Sequence, residues 1–322
     1  MIFARALLPP DDEPEEYHVI PCDDTQIILD FCHRDHVRYT DLVSGTASSP
    51  SVLARAMERY WVDDGHLVDR GEEACKSEGH REYYVDSRER PAVLACVGGV
   101  KPHLKLQVEG EVRSGKEQEL RAWIREVAPV GVATTHEDIK RRLSEELGVT
   151  DWHDAGQYTI AVEDFKPRIV HPVRRVSPAE RPLWRRFVEG NMDDSMVSGR
   201  EGCGSVVRDF EFMCMGLPVD YYVAEKDGEI AGVVSIGPTT DRCDGIGTLF
   251  VAPEHRRQGF GRSLLSAAVQ DILARGRQPF YFAGGDPGPL LPLLIGLGYR
   301  LNSTFYWTER YMWYDWVLAQ EC

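Results

Sequence analysis

The chain has 322 residues, 43% of them hydrophobic and 28% charged, with a formal net charge of −15. That length exceeds one ordinary core, so two domains of roughly 150 residues each are expected. No apolar run reaches the ~18 residues that a membrane-spanning helix requires, and the strong negative charge without a basic patch argues against a nucleic-acid partner.

The start, Met1 to Pro10, holds an apolar stretch too short for a secretory signal and runs into Asp11, Asp12 and Glu13, so a cytoplasmic location is expected. Eight cysteines without a CxxC pair read as reduced structural thiols, and Cys32-His33 with His36 lacks the second ligand pair a zinc site needs, so no metal is expected. After a Pro/Asp/Glu leader the first half reads as mixed α/β. A strand is expected at Tyr17–Ile20, helices around 27–38 and 51–60, and strands at 82–85, 92–97 and 104–108. Helices follow at 120–127 and at 139–147, the second stopped by Gly148, and then a strand at 158–162. The segment Glu163-Asp164-Phe165-Lys166-Pro167 is a connector, which divides the chain into domains at 1–166 and 167–322.

The second half opens with a strand over 169–176, edge-like because of Pro172. Ser177-Pro178-Ala179-Glu180 is a capping signature for the next helix. A loop-rich stretch precedes a helix over 205–215. Strands at 220–225 and 230–238 flank Asp227-Gly228, a strong hairpin signal. A strand at 245–251 then leads into Pro253-Glu254-His255-Arg256-Arg257-Gln258-Gly259-Phe260-Gly261-Arg262, followed by an amphipathic helix with Leu264, Leu265, Ala268, Val269 and Ile272 on one face.

Strand, glycine turn and helix in that order make an anion site, because first-turn N–H groups converge and the helix dipole favours negative charge. A Walker loop is excluded because no lysine follows the glycines, and a dinucleotide fingerprint because Leu264 stands where its third glycine belongs. The remaining pattern, Arg-x-x-Gly-x-Gly from Arg256 to Gly261 after Leu249-Phe250-Val251-x-Pro253, resembles the pyrophosphate motif of the GNAT superfamily of acyl-CoA-dependent N-acyltransferases. The likeness runs from Ile169 to about Trp313. It implies an α/β fold with a mixed sheet, in which the strands flanking the cofactor helix splay apart around the pantetheine arm of acetyl-CoA. Carried over, Leu249, Phe250 and Val251 would meet pantetheine and the acyl carbonyl. Arg256, Arg257, Gln258, Gly259, Phe260, Gly261 and Arg262 would hold the pyrophosphate, Phe260 through its N–H alone.

The implied reaction is acetyl transfer to an amine of a small molecule or peptide. The alternative is a non-catalytic acyl-CoA sensor or interaction protein. Asp244 is the candidate base and Tyr299, beside Tyr281, the candidate acid. Many family members place a tyrosine four residues before the glycine of the Leu297-Gly298-Tyr299 turn; here that position is Leu294. Residues 83–162 resemble a degenerate copy of the same fold, which gives two tandem GNAT-like domains. Gly110 to Gly115 lacks the motif, so no cofactor is expected there. Glu189, Asp193, Asp194, Glu201, Asp209 and Glu211, against only Arg200 and Arg208, read either as a solvated acidic face or as an attractor for a cationic acceptor.

Overall fold

The computed structural model describes residues 19–308 apart from 36, 40–55, 57–58, 70–80, 99–102, 110–113, 130, 200–203, 239, 241, 285–287 and 289. Its first half contains β1 (Ile20–Pro21), α1 (Thr25–Cys32), β2 (Tyr60–Asp63), β3 (His66–Asp69), β4 (Arg81–Val85), β5 (Val93–Gly98) and β6 (His103–Val108). These lead to α2 (Ser114–Val127), β7 (Gly131–Thr134), α3 (Glu137–Leu147) and β8 (Trp152–Thr159). The second half contains β9 (Val173–Arg175), α4 (Arg181–Glu189), α5 (Ser195–Ser198), α6 (Ser205–Cys214), β10 (Asp220–Lys226) and β11 (Glu229–Pro238). It ends with β12 (Cys243–Val251), α7 (Phe260–Ala274), β13 (Gln278–Gly284), α8 (Leu290–Leu297) and β14 (Arg300–Thr308).

Several local signals act as their chemistry dictates. The Ser177/Glu180 capping box forms, with the Ser177 N–H donating to Glu180 Oε2 at 2.9 Å, and opens the turn into α4. Asp227 and Gly228 both take positive φ, 54° and 84°, in the tight hairpin between β10 and β11. Other expectations are corrected. The strand expected over 169–176 shrinks to Val173–Arg175, because the preceding backbone docks on α7 instead: Arg168 N–H donates to Ser266 Oγ, and the N–H groups of Val170 and His171 donate to Ser263 Oγ. The strand expected at 158–162 runs instead over Trp152–Thr159, and a helical turn begins at Val162. Tyr60, expected at the end of a helix, opens β2; most of 51–59 and the strand expected at 17–20 lie largely outside the described residues.

Twelve strands form one mixed sheet in the order β1-β4-β5-β6-β7-β14-β8-β13-β12-β11-β10-β9. Both halves repeat a pattern of antiparallel strands followed by one parallel pair, β6 with β7 and β12 with β13. At the centre the last strand of each half is exchanged. Strand β8 pairs with β13 from Phe280↔Thr159 to Gly284↔Ala155, while β14 pairs with β7 at Tyr306↔Thr134 and Trp307↔Ala133. The two exchanged strands also pair with each other. In the second half, α7 and α8 bury Leu264, Leu265, Val269, Ile272, Leu294 and Leu297 against one face. Helices α4 and α6 bury Trp184, Phe187, Val206 and Phe210 against the other. Each such side chain contributes about 1.5–3 kcal/mol by leaving water.

Because β8 fills the space between β13 and β14, a fragment of residues 167–322 exposes two facing strand edges, and bare edges promote aggregation. That fragment is expected to aggregate or melt without cooperativity, and to regain the full chain's melting behaviour when co-expressed with residues 1–166. A monomeric 167–322 fragment that melts cooperatively at the full chain's Tm would contradict the exchange.

Candidate cofactor site at the strand opening

Strands β12 and β13 pair from Cys243↔Gln278 to Ile246↔Tyr281, and no farther. Beyond that point β12 continues to Val251 against β11, and β13 continues to Gly284 against β8. The strands therefore part, and β12 is left with one edge lacking a strand partner. Thr248 N–H donates to Ser235 Oγ at 2.7 Å and Ala252 N–H to the Ala231 carbonyl at 3.0 Å, both toward β11. Strand alternation then turns the N–H and C=O of Leu249 and Val251 into the opening, and those of Phe250 away from it. The Val251 carbonyl accepts from Arg256 Nε at 3.0 Å, as that direction requires.

The parity depends on a bulge. Between the pairs Ile236↔Ile246 and Val234↔Leu249, Ser235 alone faces Gly247 and Thr248. The buried Asp209 on α6 locks it: Oδ2 accepts from Ser235 Oγ at 2.6 Å and from Thr248 Oγ1 at 2.7 Å, and Oδ1 accepts from Arg208 Nε at 3.2 Å. A Cβ at Gly247 would lie 2.7 Å from Ser235 Oγ and 3.0 Å from Asp209 Oδ2, so only glycine fits there. Sequence reasoning counted Asp209 among surface acids. The signal against that was its place beside Val206 and Phe210 on the apolar face of a helix.

After a short turn at Pro253–His255, Arg257 and Gly259 take positive φ, 63° and 95°, and swing the chain into α7. Gly259 is the N-cap and supplies no capping side chain, so the first-turn N–H groups of α7 remain available to an anion. A Cβ at Gly261 would stand 3.6 Å from Val251 Cγ2 and 3.9 Å from Leu293 Cδ2. The helix start thus adjoins both the open edge of β12 and α8.

The predicted cations divide. Arg256 is held by the Val251 carbonyl and by Asp194 at 3.1 Å, and lies over the Phe250 ring. Arg257 is exposed and Arg262 half-buried at the helix start. Gln258 Nε2 donates to the Glu254 carbonyl, and its Oε1 accepts from Lys226 Nζ. Phe260 is buried and stacks on His171 at 3.8 Å between ring centroids, while His171 Nε2 donates to the Gln258 carbonyl at 2.8 Å.

The two catalytic candidates lie elsewhere. Asp244 sits in the paired part of β12, opposite Pro279 and about 10 Å before Gly247 at the usual strand rise. Its carboxylate accepts from Arg277 Nε at 2.6 Å and faces Arg275 at 3.8 Å; burial raises its pKa above the ordinary value, opposed by Arg277 and Arg275. Tyr299 is buried in the cluster under α7 and α8 with Leu294 and Leu297, and its hydroxyl has no hydrogen-bond partner among the described residues. Burial pushes its pKa up, with Tyr281 adding to the rise, and holds Tyr281 itself at about 12. Phenols so shifted are weaker acids than a thiol of pKa about 8.5, so protonating a thiolate from either is uphill.

In the first half the equivalent parallel pair, β6 and β7, is bridged just past its pairing. Gln107 Oε1 accepts from the Thr135 N–H at 3.1 Å and from Thr135 Oγ1 at 2.6 Å. The turn at 110–113 lies outside the described residues.

Residues 191–284 match the acetyltransferase (GNAT) family. No curated protein matches the chain in sequence. Among solved structures, a Drosophila protein aligns over 89% of this chain and 96% of its own at 14% identity and a TM-score of 0.50. An acetyltransferase of the GNAT family from Colwellia psychrerythraea aligns over 81% and 96% at 10% identity and a TM-score of 0.50. A tandem GNAT protein from the clavulanic acid biosynthesis pathway aligns over 90% and 97% at 16% identity with a TM-score of 0.47. At these identities the first two establish likeness of fold alone.

The setting of Asp244 separates two roles by measurement. Asp244→Asn removes a buried carboxylate from its arginine partners and is expected to cost about 1–3 kcal/mol of stability, read as a lower Tm. Turnover at a permissive temperature should change less than about threefold, whereas loss of a general base costs about 10²–10⁴-fold. A fall in that larger range with Tm unchanged would make Asp244 the base.

Proposed function

We propose that the chain, whose residues 191–284 match the acetyltransferase (GNAT) family, transfers an acetyl group from acetyl-CoA to an amine of a small molecule or peptide. The observation that carries this reading is the juxtaposition of two unsatisfied backbone surfaces, the open edge of β12 and the uncapped start of α7. An extended pantetheine arm carries amide groups that can bond to Leu249 and Val251 as a missing strand would. A pyrophosphate matches the first-turn N–H groups of α7, with Arg257 and Arg262 as its cations and Arg256 bracing the turn from behind. Gly259 takes the positive φ that turns the chain into α7, and Gly261 brings no side chain to the helix start.

Bound acetyl-CoA supplies an activated thioester carbonyl. The Val251 N–H, directed into the opening, is placed to donate to the carbonyl oxygen as negative charge develops there. Transfer forms an amide bond and breaks the carbon–sulfur bond; the amine loses a proton and the departing thiolate gains one. Burial makes Tyr281 and Tyr299 too weak as acids to favour that last step, and a CoA thiolate leaves well enough to take its proton from water. Tyr299 therefore serves as a packing residue in this reading.

A cationic-acceptor reading based on bulk acidity loses most of its support. Of the acidic residues around α5 and α6, Asp194 pairs with Arg256, Glu211 with Arg181 and Arg185, and Asp209 with the bulge hydroxyls. Glu189 and Asp193 remain exposed, and Glu201 lies outside the described residues.

Two measurements test the reading. Calorimetric titration of CoA should give one site per chain, with the Arg257→Ala/Arg262→Ala double variant weakened at least tenfold and its Tm unchanged. Two equal sites, or none, would sink the assignment. Acetyl-CoA mixed with an amine panel should release free thiol in step with acetylated product. Tight CoA binding with no thiol from any amine would favour the acyl-CoA sensor instead.

A further inference from the structure

Where β12 and β13 part, the sheet face opposite α7 and α8 carries aromatic side chains that the cofactor reading leaves unused. Phe282 is 42% exposed, although it follows buried Tyr281 and precedes buried Ala283 in the middle of β13. Those neighbours face the α7/α8 core, so strand alternation turns Phe282 to the face on which α6 packs. There its ring lies 6.0 Å from Phe305 and 6.1 Å from Trp307, which stack on each other at 5.6 Å. His153 of β8 stacks on Trp307 from the other side at 5.9 Å. Three strands from both halves thus build one aromatic cluster, in which Phe305 and Trp307 are buried while Phe282 and His153 are exposed, near the centre of a twelve-stranded sheet. An exposed aromatic there offers a face for stacking beside the opening.

The cluster ends at the opening. Phe282 is the first residue of β13 past the last paired position, Tyr281, and Gly247 is the first of β12 past Ile246. Gly247 is exposed, and the Asp209 carboxylate lies against it on the same face as Phe282. The mouth of the opening is therefore flanked by an exposed ring on one strand and a buried carboxylate behind the other. Ring faces attract ammonium groups and stack on flat apolar bodies.

Building on the reading of the opening as the acetyl-CoA site, we propose that the acceptor is a primary amine carrying an aromatic or flat apolar body. That body stacks on the exposed Phe282 ring, which the buried Phe305 and Trp307 support, and its amine turns toward the open edge of β12. Specificity then resides in the body of the acceptor, since a simple alkyl amine brings the same amine but leaves the Phe282 ring uncovered.

The test titrates phenethylamine and butylamine into the full chain saturated with CoA, and separately follows thiol release from acetyl-CoA with each amine. Phenethylamine is expected to bind at least tenfold more tightly. Phe282→Ala, which truncates a partly exposed ring, should cut that advantage to about twofold while CoA affinity stays within twofold. The proposal is overturned if phenethylamine fails to bind, if the two amines bind alike, or if Phe282→Ala weakens both equally. Phenethylamine that binds through Phe282 without releasing thiol would sink the acetyl-transfer reading and leave the aromatic cluster standing. Thiol release at equal kcat/KM from both amines would do the reverse.

Discussion

Strand β13 can part from β12 because β8 is paired along its other edge. Leaving β12 removes ladder hydrogen bonds from one side of β13, but Phe280 to Gly284 keep a full ladder with Thr159 to Ala155. On the other side, β12 beyond Ile246 is held by β11 and by the Asp209, Ser235 and Thr248 lock. Two anchored strands that diverge leave a backbone edge unsatisfied between them, and unsatisfied backbone groups are costly away from water or a ligand. The strand exchange thus permits the opening, and the same pairings bind the halves to each other.

The same arrangement explains why the two halves differ despite repeating one strand order. In the first half Gln107 and Thr135 close the parting of β6 and β7 with two hydrogen bonds. In the second half Gly247 occupies the strand where it parts, and the helix that follows begins at Gly259, which offers N–H groups instead of a capping side chain. Gly247 leaves room for the Ser235 and Asp209 side chains, and Gly259 for the turn into α7. The first half nevertheless contributes to the face of the sheet beside the opening, since His153 on β8 extends the aromatic cluster.

What the sequence made legible followed from local rules. The turn from Arg256 to Arg262, the Asp227-Gly228 hairpin and the Ser177 cap each depend on a few adjacent residues, and each forms where its chemistry requires. The sequence likeness also implied the parting of β12 and β13. The rest depended on contacts distant in the chain. Strand β8 mixes His153, Asp154, Gly156 and Gln157 with apolar residues, so it shows no strand period; only its burial between β13 and β14 gives it one. Four-residue β7 is too short to announce itself. Asp244 looked catalytic beside the Gly245–Val251 run, yet Arg277, thirty-three positions later, claims its carboxylate. Asp209 looked solvated among other acids, yet Ser235 and Thr248, on two later strands, bury it.

The central claim is that a cofactor completes the β12 edge and the α7 start together. Backbone amide spectra of the ¹⁵N-labelled full chain, recorded with and without CoA, address it most directly. The account predicts that the amides of Leu249, Val251, Gly261 and Arg262 shift together along one saturation curve, while those of Gln107 and Thr135 stay in place. Shifts confined to the first half, or a response from α7 with Leu249 and Val251 unmoved, would contradict it.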